Sequence, residues 1–200
     1  MIEETAPARG SETRNQIIQA AHDLFMKQGY HGTSMRQIAQ LAQVALGGVY
    51  NHFSSKEEVF RTVFLDYHPF RQILPVLQNT PGDSVEAFVR NAITHTVEIM
   101  LERTDFLNLM FIELVEFKSI HTQQLFKEIY PQGLAIAQHL ADMENGAIRA
   151  VPSPILVRTL VGTIMGYYIS ELILADKMPE ASRQDALAYY IDTLLHGILA

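Results

Sequence analysis

Residues 34–56, SMRQIAQLAQVALGGVYNHFSSK, leave this chain few ways to fold. Ser34 followed three residues later by Gln37 is a capping box: the serine oxygen accepts from the Gln37 amide while the glutamine side chain reaches back. A helix therefore begins at Met35, with Met35, Ile38, Ala39, Leu41 and Ala42 at helical spacing. It runs for about two turns. After Gln43 a second short pattern turns Val44, Val49 and Phe53 inward and leaves Leu46, Gly47, Gly48, Tyr50, Asn51 and His52 on the outer side. Two short helices across a tight turn form a helix-turn-helix, the layout that lays its second helix in the major groove of DNA.

The flanks complete a unit. Upstream, residues 13–29 form an amphipathic helix with Ile17, Ala20, Ala21, Leu24 and Phe25 on one face, ended by Gly29. Downstream, Ser55 and Glu58 make another capping box before Val59, Phe60 and Val63, so a fourth helix starts where the reader ends. Its first-turn amides, with Lys56, suit a phosphate.

Residues 13–64, read as RNQIIQAAHDLFMKQGY, then HGTSMRQIAQLAQVALGGVYNHF, then SSKEEVF, resemble the TetR family of bacterial transcriptional regulators. The rest of the chain resembles that family only in length and helical pattern. The resemblance implies an all-α fold: a three-helix DNA-binding unit plus a larger helical ligand-binding and dimerisation domain, about nine helices in all. It implies phosphate contacts from Thr33 and Ser34, an aromatic and a histidine along the DNA backbone at Tyr50 and His52, a phosphate grip from Lys56, and Phe53 as the buried aromatic behind the recognition helix. Ser34 serves equally as a plain cap, and Tyr50 as a cover for the core. Arg36, Leu46, Gly47, Gly48 and Asn51 join the DNA-binding candidates; Leu46 suits a thymine methyl, and Asn51 an adenine if it faces the bases.

Where the family often has a turn glycine, a hydroxyl cap and a lysine, this chain has Gln43, Ala45 and Leu46. The recognition helix thus forgoes a cap worth about 1 kcal/mol. Gly47 and Gly48 lower helix propensity by up to about 1 kcal/mol each, in exchange for close backbone approach to the groove.

Charge divides along the same line. Residues 1–56 carry five Lys or Arg against four Asp or Glu, residues 57–200 ten against eighteen, for a net charge of −7. The acidic part does not meet DNA, and modest non-specific affinity with a shallow salt dependence is expected. With no cysteine, disulfides and thiolate metal sites are excluded, and a cytoplasmic location is the default. No membrane span or secretion signal is expected. The domains are expected as a disordered arm over 1–11, a helix-turn-helix domain over 12–56, and an effector-binding and dimerisation domain over 57–200.

Further helices are expected at Val59 to Leu77, kinked or ended by Pro69 and Pro75; from an Asp83–Glu86 cap to Arg103; from Asp105 to Lys118; from Gln123 to Asn145, broken near Pro131 and stopped by Gly146; from a Ser153–Pro154 start to Lys177; and from Ala181 to Leu199. The last two are apolar on more than one face. Gly162 and Gly166 give a small-residue strip, and the resemblance implies a four-helix homodimer interface there, with Met165, Ile169, Leu194, Leu195 and Ile198. A fully internal helix pair is the alternative. Ligand-binding candidates are the apolar Phe88, Phe106, Met110 and Phe117, with His95 and Glu113 as polar interruptions, although aromatic stripes also suit plain core.

These features point to a ligand-responsive regulator, a repressor, that binds a palindromic double-stranded DNA operator as a homodimer and is released by a small, largely apolar effector. The competing reading is a dimeric helical module whose helix-turn-helix no longer reads DNA. No glycine-rich phosphate loop, serine elbow, carboxylate pair or metal spacing suggests an enzyme, and no cofactor is expected.

Overall fold

The computed structural model describes residues 9–143, 151–180, 183 and 185–198. Among these, ten α-helices and one short 3-10 helix follow in order, and no strand occurs. They are α1 (Arg9–Gly32), α2 (Met35–Leu41), α3 (Leu46–Tyr50), α4 (Lys56–Tyr67), α5 (Phe70–Asn79), α6 (Val85–Leu101), α7 (Phe106–Phe117), α8 (Ile120–Met143), α9 (Ser153–Leu174), the 3-10 turn Ala175–Lys177, and α10 (Ala186–Ile198). The chain divides into two compact units, one formed by 1–68 with 105–124, the other by 69–104 with 125–200.

The first unit is built on α1. Its Ile17, Ala20, Ala21 and Phe25 are buried with Ile38, Ala39, Val49, Phe53, Val59 and Phe60. Gly29 interrupts α1 at φ +73°, a backbone conformation that only glycine adopts freely, and the chain turns there toward α2. An aromatic cluster ties four helices together: Phe60 of α4 stacks on Phe117 of α7 at 4.8 Å, and Tyr30 of α1 meets Phe117 edge-on at 4.9 Å. Phe117 also lies 5.0 Å from His121 of α8.

The second unit is held by an apolar core in which Val85, Phe88, Val89, Ile93 and Val97 of α6 meet Leu140, Tyr167, Ile191, Leu194 and Leu195. Gly82 is required by contact: a Cβ there falls 2.6 Å from the Phe88 backbone nitrogen. Polar ties are few. Arg90 donates to Asp192 at 2.5 Å, and the Tyr168 hydroxyl to the Arg103 carbonyl at 2.8 Å.

Several expectations are corrected. Arg9 to Ser11 belong to α1 rather than to an arm; residues 1–8 lie outside the described residues. Leu41 is exposed, because Ile38, Ala39 and Ala42 occupy the buried face of α2. The fourth helix ends before Pro69 as expected, the proline's missing N–H and rigid φ stopping α4, whereas Pro75 is carried inside a separate α5. Ser84, not Asp83, caps α6. Helix α8 starts at Ile120 and runs through Pro131 unbroken, and its expected stop at Gly146 lies outside the described residues. Pro152 is the N-cap residue of α9, and the expected start at Ala181 is outside the described residues. The segment Ser153–Lys177 is, by length and composition alone, apolar enough to cross a membrane.

Candidate nucleic-acid interface

The turn between α2 and α3 is set by hydrogen bonds closing the end of α2. Gln43 N–H donates to the Gln40 carbonyl at 3.2 Å and Val44 N–H to Ala39 at 3.0 Å, a Schellman motif. The left-handed position of that motif falls on Gln43, at φ +57°. The expected capping box of α2 is present: Ser34 Oγ accepts from the Gln37 amide at 3.3 Å, and Gln37 Oε1 accepts from the Ser34 amide at 2.8 Å. Helix α3 has no side-chain cap, and its first amides are met only by the Ala45 carbonyl. Val49 and Phe53 anchor it inward, leaving Leu46, Gly47, Tyr50 and Asn51 exposed and His52 half-buried.

Beside α3 lies an open cleft of about 520 Å³, lined by His31, Thr33, Ser34, Met35, Arg36, Leu46, Tyr50 and Lys56. Six of the ten DNA-binding candidates therefore come together on one surface, with Gly47, Gly48, Asn51 and His52 on the adjoining turns of the chain. Two have further work inside the protein. The Thr33 side chain is turned inward, donating to the Gly29 carbonyl at 2.9 Å, which leaves its backbone rather than its hydroxyl for a phosphate. Lys56 Nζ donates to the carbonyls of Tyr30 and Thr33, both at 2.8 Å, and sits 4.1 Å from the centre of the Tyr30 ring. Its charge closes the carbonyl end of α1, and burial holds its pKa below the usual lysine range despite the opposing field of Glu116. The Ser55–Glu58 box is modified: Ser55 Oγ accepts from the Glu58 amide at 3.1 Å, but the Glu58 carboxylate accepts from Ser54 N–H and Oγ–H, both at 2.7 Å. Those bonds depress its pKa.

The structure brings in one cleft residue that sequence reasoning missed. His31, at the end of α1, has no motif partner nearby in sequence; its Nε2 meets Glu116 Oε2 of α7 at 2.5 Å, across 85 positions.

The ligand-binding candidates divide between the two units. Phe106, Met110, Glu113 and Phe117 lie on α7 in the first unit, whereas Phe88 and His95 lie on α6 in the second. Phe106 packs on His68 at 4.6 Å. Glu113 is 1% exposed and occupied: its carboxylate accepts from the amides of His121 at 2.7 Å and Thr122 at 3.0 Å and meets His121 Nδ1 at 2.7 Å. It closes the start of α8 after Lys118 and Ser119, both at positive φ. His95 is corrected to an exposed position, with Nδ1 on the Asn91 carbonyl at 2.7 Å. The buried arc of α6 passes instead through Thr96, whose hydroxyl is buried among the described residues with no hydrogen-bond partner. One step along the helix, 100° around it, separates the two.

Of the dimer candidates, Gly162 and Gly166 are exposed and Met165 and Ile169 half-buried on α9. Leu194 at 7% exposure and Leu195 at 1% are corrected to the subunit's own core, where they pack with α6. The Ile198 side chain lies outside the described residues.

Residues 17–63 match the family described as bacterial regulatory proteins, tetR family. Over 193 residues, 94% of this chain and 98% of the relative, the sequence is 24% identical to the HTH-type transcriptional regulator YvkB of Bacillus subtilis. It is 43% identical over 87 residues to the HTH-type transcriptional regulator SrpR of Pseudomonas putida, covering 43% of this chain and 38% of that one. The fold matches that of the fatty acid degradation regulator FadR from Bacillus halodurans with a TM-score of 0.71 over 96% of both chains, at 18% identity. Residues 17–63 thus carry a helix-turn-helix of the tetR family of bacterial regulatory proteins, and over its whole length the chain is similar in sequence or fold to transcriptional regulators.

Proposed function

We propose that this protein is a ligand-responsive transcriptional repressor that binds a palindromic operator as a homodimer and is released by a small, largely apolar effector. Residues 12–56 read DNA, and 57–200 supply effector binding and dimerisation, with α7 the part of that larger segment that packs with the reader.

The observation that carries the reading is the pair Gly47–Gly48. A Cβ at Gly47 meets nothing within 4 Å, and one at Gly48 meets only Val44 Cβ at 3.9 Å. The fold itself has no use for glycine there, and each glycine costs the helix up to about 1 kcal/mol. What glycine offers on that outer side is room for a surface to approach the backbone, as a groove floor does.

Dimerisation is supported by the exposed apolar side chains of α9, Ile155, Val161 and Ile173, beside Gly162 and Gly166. A second copy covers this surface, and two-fold symmetry matches a palindromic site. The partnerless Thr96 hydroxyl suits the single polar group of an otherwise apolar effector.

Footprinting on the DNA flanking the gene, with sedimentation of the detergent-free protein, tests the reading. Expected are a dimer and two protected half-sites on one face of the duplex, lost in Tyr50→Ala. A monomer, or a protein that protects no DNA, sinks it.

A further inference from the structure

We propose that Glu116, delivered by α7 and held by His31, is an electrostatic brake on the DNA-facing cleft. The inference rests on the reading of that cleft as the DNA site and adds a residue that regulates it.

His31 is 78% exposed and lines the cleft with Ser34, Arg36, Tyr50 and Lys56, yet its Nε2 is held at 2.5 Å by a carboxylate only 26% exposed. That carboxylate belongs to α7, which joins α6 and α8 in the chain rather than the helix-turn-helix. Its field extends past His31. Tyr30 titrates above the usual phenol range, first through burial, then through Glu57 and Glu116, and Glu116 also acts on Lys56.

A phosphate entering the cleft therefore meets a negative charge behind the cations that attract it. The cleft's own cations are few, Arg36 and a Lys56 already committed to two carbonyls, so one opposing charge weighs heavily. His31 holds that carboxylate by a hydrogen bond and covers it from the cleft side.

Glu116→Gln keeps an acceptor for His31 and removes only the charge. Fluorescence anisotropy with a labelled mixed-sequence duplex serves as the probe. At low salt the variant is expected to bind roughly three- to ten-fold more tightly than the native protein, with the gain fading as salt screens the interaction and with thermal stability unchanged. His31→Gln, which removes the imidazole that holds the carboxylate, is expected to bind more weakly, and adding Glu116→Gln restores affinity. If Glu116→Gln binds no better at low salt, or its gain persists at high salt, the brake is wrong while the DNA reading stands. If the native protein binds no duplex at low salt, the DNA reading fails and the brake falls with it.

Discussion

The two units are fastened by different chemistry. In the first, helix ends are tied by directional polar bonds: Ser34 on α2, Ser55 on α4, Lys56 across the carbonyl end of α1, and Glu113 across the start of α8. Its α1 is also joined to α7 by His22, whose Nε2 meets Asp105 at 2.6 Å while the ring stacks on Tyr67 at 3.9 Å. In the second, apolar side chains from α6, α8, α9 and α10 mesh in one core beside ties such as Arg90–Asp192, and among the described residues the Thr96 hydroxyl is left over. Hydrogen bonds fix distance and angle, so a unit built on them holds its surface in one geometry. Apolar packing rewards burial without prescribing direction, so a unit built on it can readjust around an occupant. On the proposed function, a reader needs the first property and an effector site the second.

Deleting one polar side chain from each unit gives the largest contrast. Glu113→Ala strands two helix amides and an imidazole in a buried site, and is expected to cost about 3 kcal/mol in urea unfolding. Thr96→Val removes a hydroxyl that bonds to nothing among the described residues, and is expected to leave stability unchanged or slightly raised while weakening binding of a polar-headed effector. Equal losses in the two variants would erase the distinction between the units.

A smaller effect appears with pH. His68, at the end of α4 between Phe64 and Phe106, has its pKa lowered by burial from 6.5 to about 4. Between those values the unfolded chain binds a proton that the folded chain refuses. The stability it contributes is therefore complete above pH 6.5 and is lost as pH falls toward 4. Allowing for solvent screening of this half-buried ring, the loss amounts to about 1–2 kcal/mol. Comparing urea midpoints of the native protein and His68→Phe across that range isolates it; parallel pH profiles would show that the ring stays free to charge in the folded state.

The same contrast governs what could be read from the sequence. Caps are local, so Ser34 and Gln37 announced α2 to the residue, and Ser55 announced α4. Buried faces were legible where the apolar positions of a helix fall on one side of it, as with Ile17, Ala21 and Phe25 of α1. On α9 and α10, apolar on several sides, spacing could not say which face the subunit keeps, and Leu194 and Leu195 proved internal. His95 was misplaced by one residue for a related reason: its spacing with Phe88 and Ala92 is helical, but the buried arc of α6 is centred beside it. Pairs such as His31–Glu116 and His22–Asp105 span 85 and 83 positions and leave no periodic trace. For Glu113 the sequence offered a polar residue in an apolar stripe, and only the fold revealed that it closes a helix.

The smallest expected effect lies in the turn. Gln43 occupies the left-handed position of a motif whose hydrogen bonds to Gln40 and Ala39 are both made, so its strain is held by the surrounding geometry. A side chain at that backbone angle costs roughly 1 kcal/mol relative to glycine. Gln43→Gly also frees the unfolded chain, which offsets part of that gain. The net expectation is a stabilisation of about 0.5 kcal/mol in urea unfolding, with DNA affinity unchanged because the exposed Gln43 is not among the cleft residues. A loss of stability would mean that the Gln43 side chain contributes to the fold; a loss of affinity would place it at the DNA. Either result would move the boundary of the rigid reader, since a turn that gains from flexibility is one whose geometry its neighbours already impose.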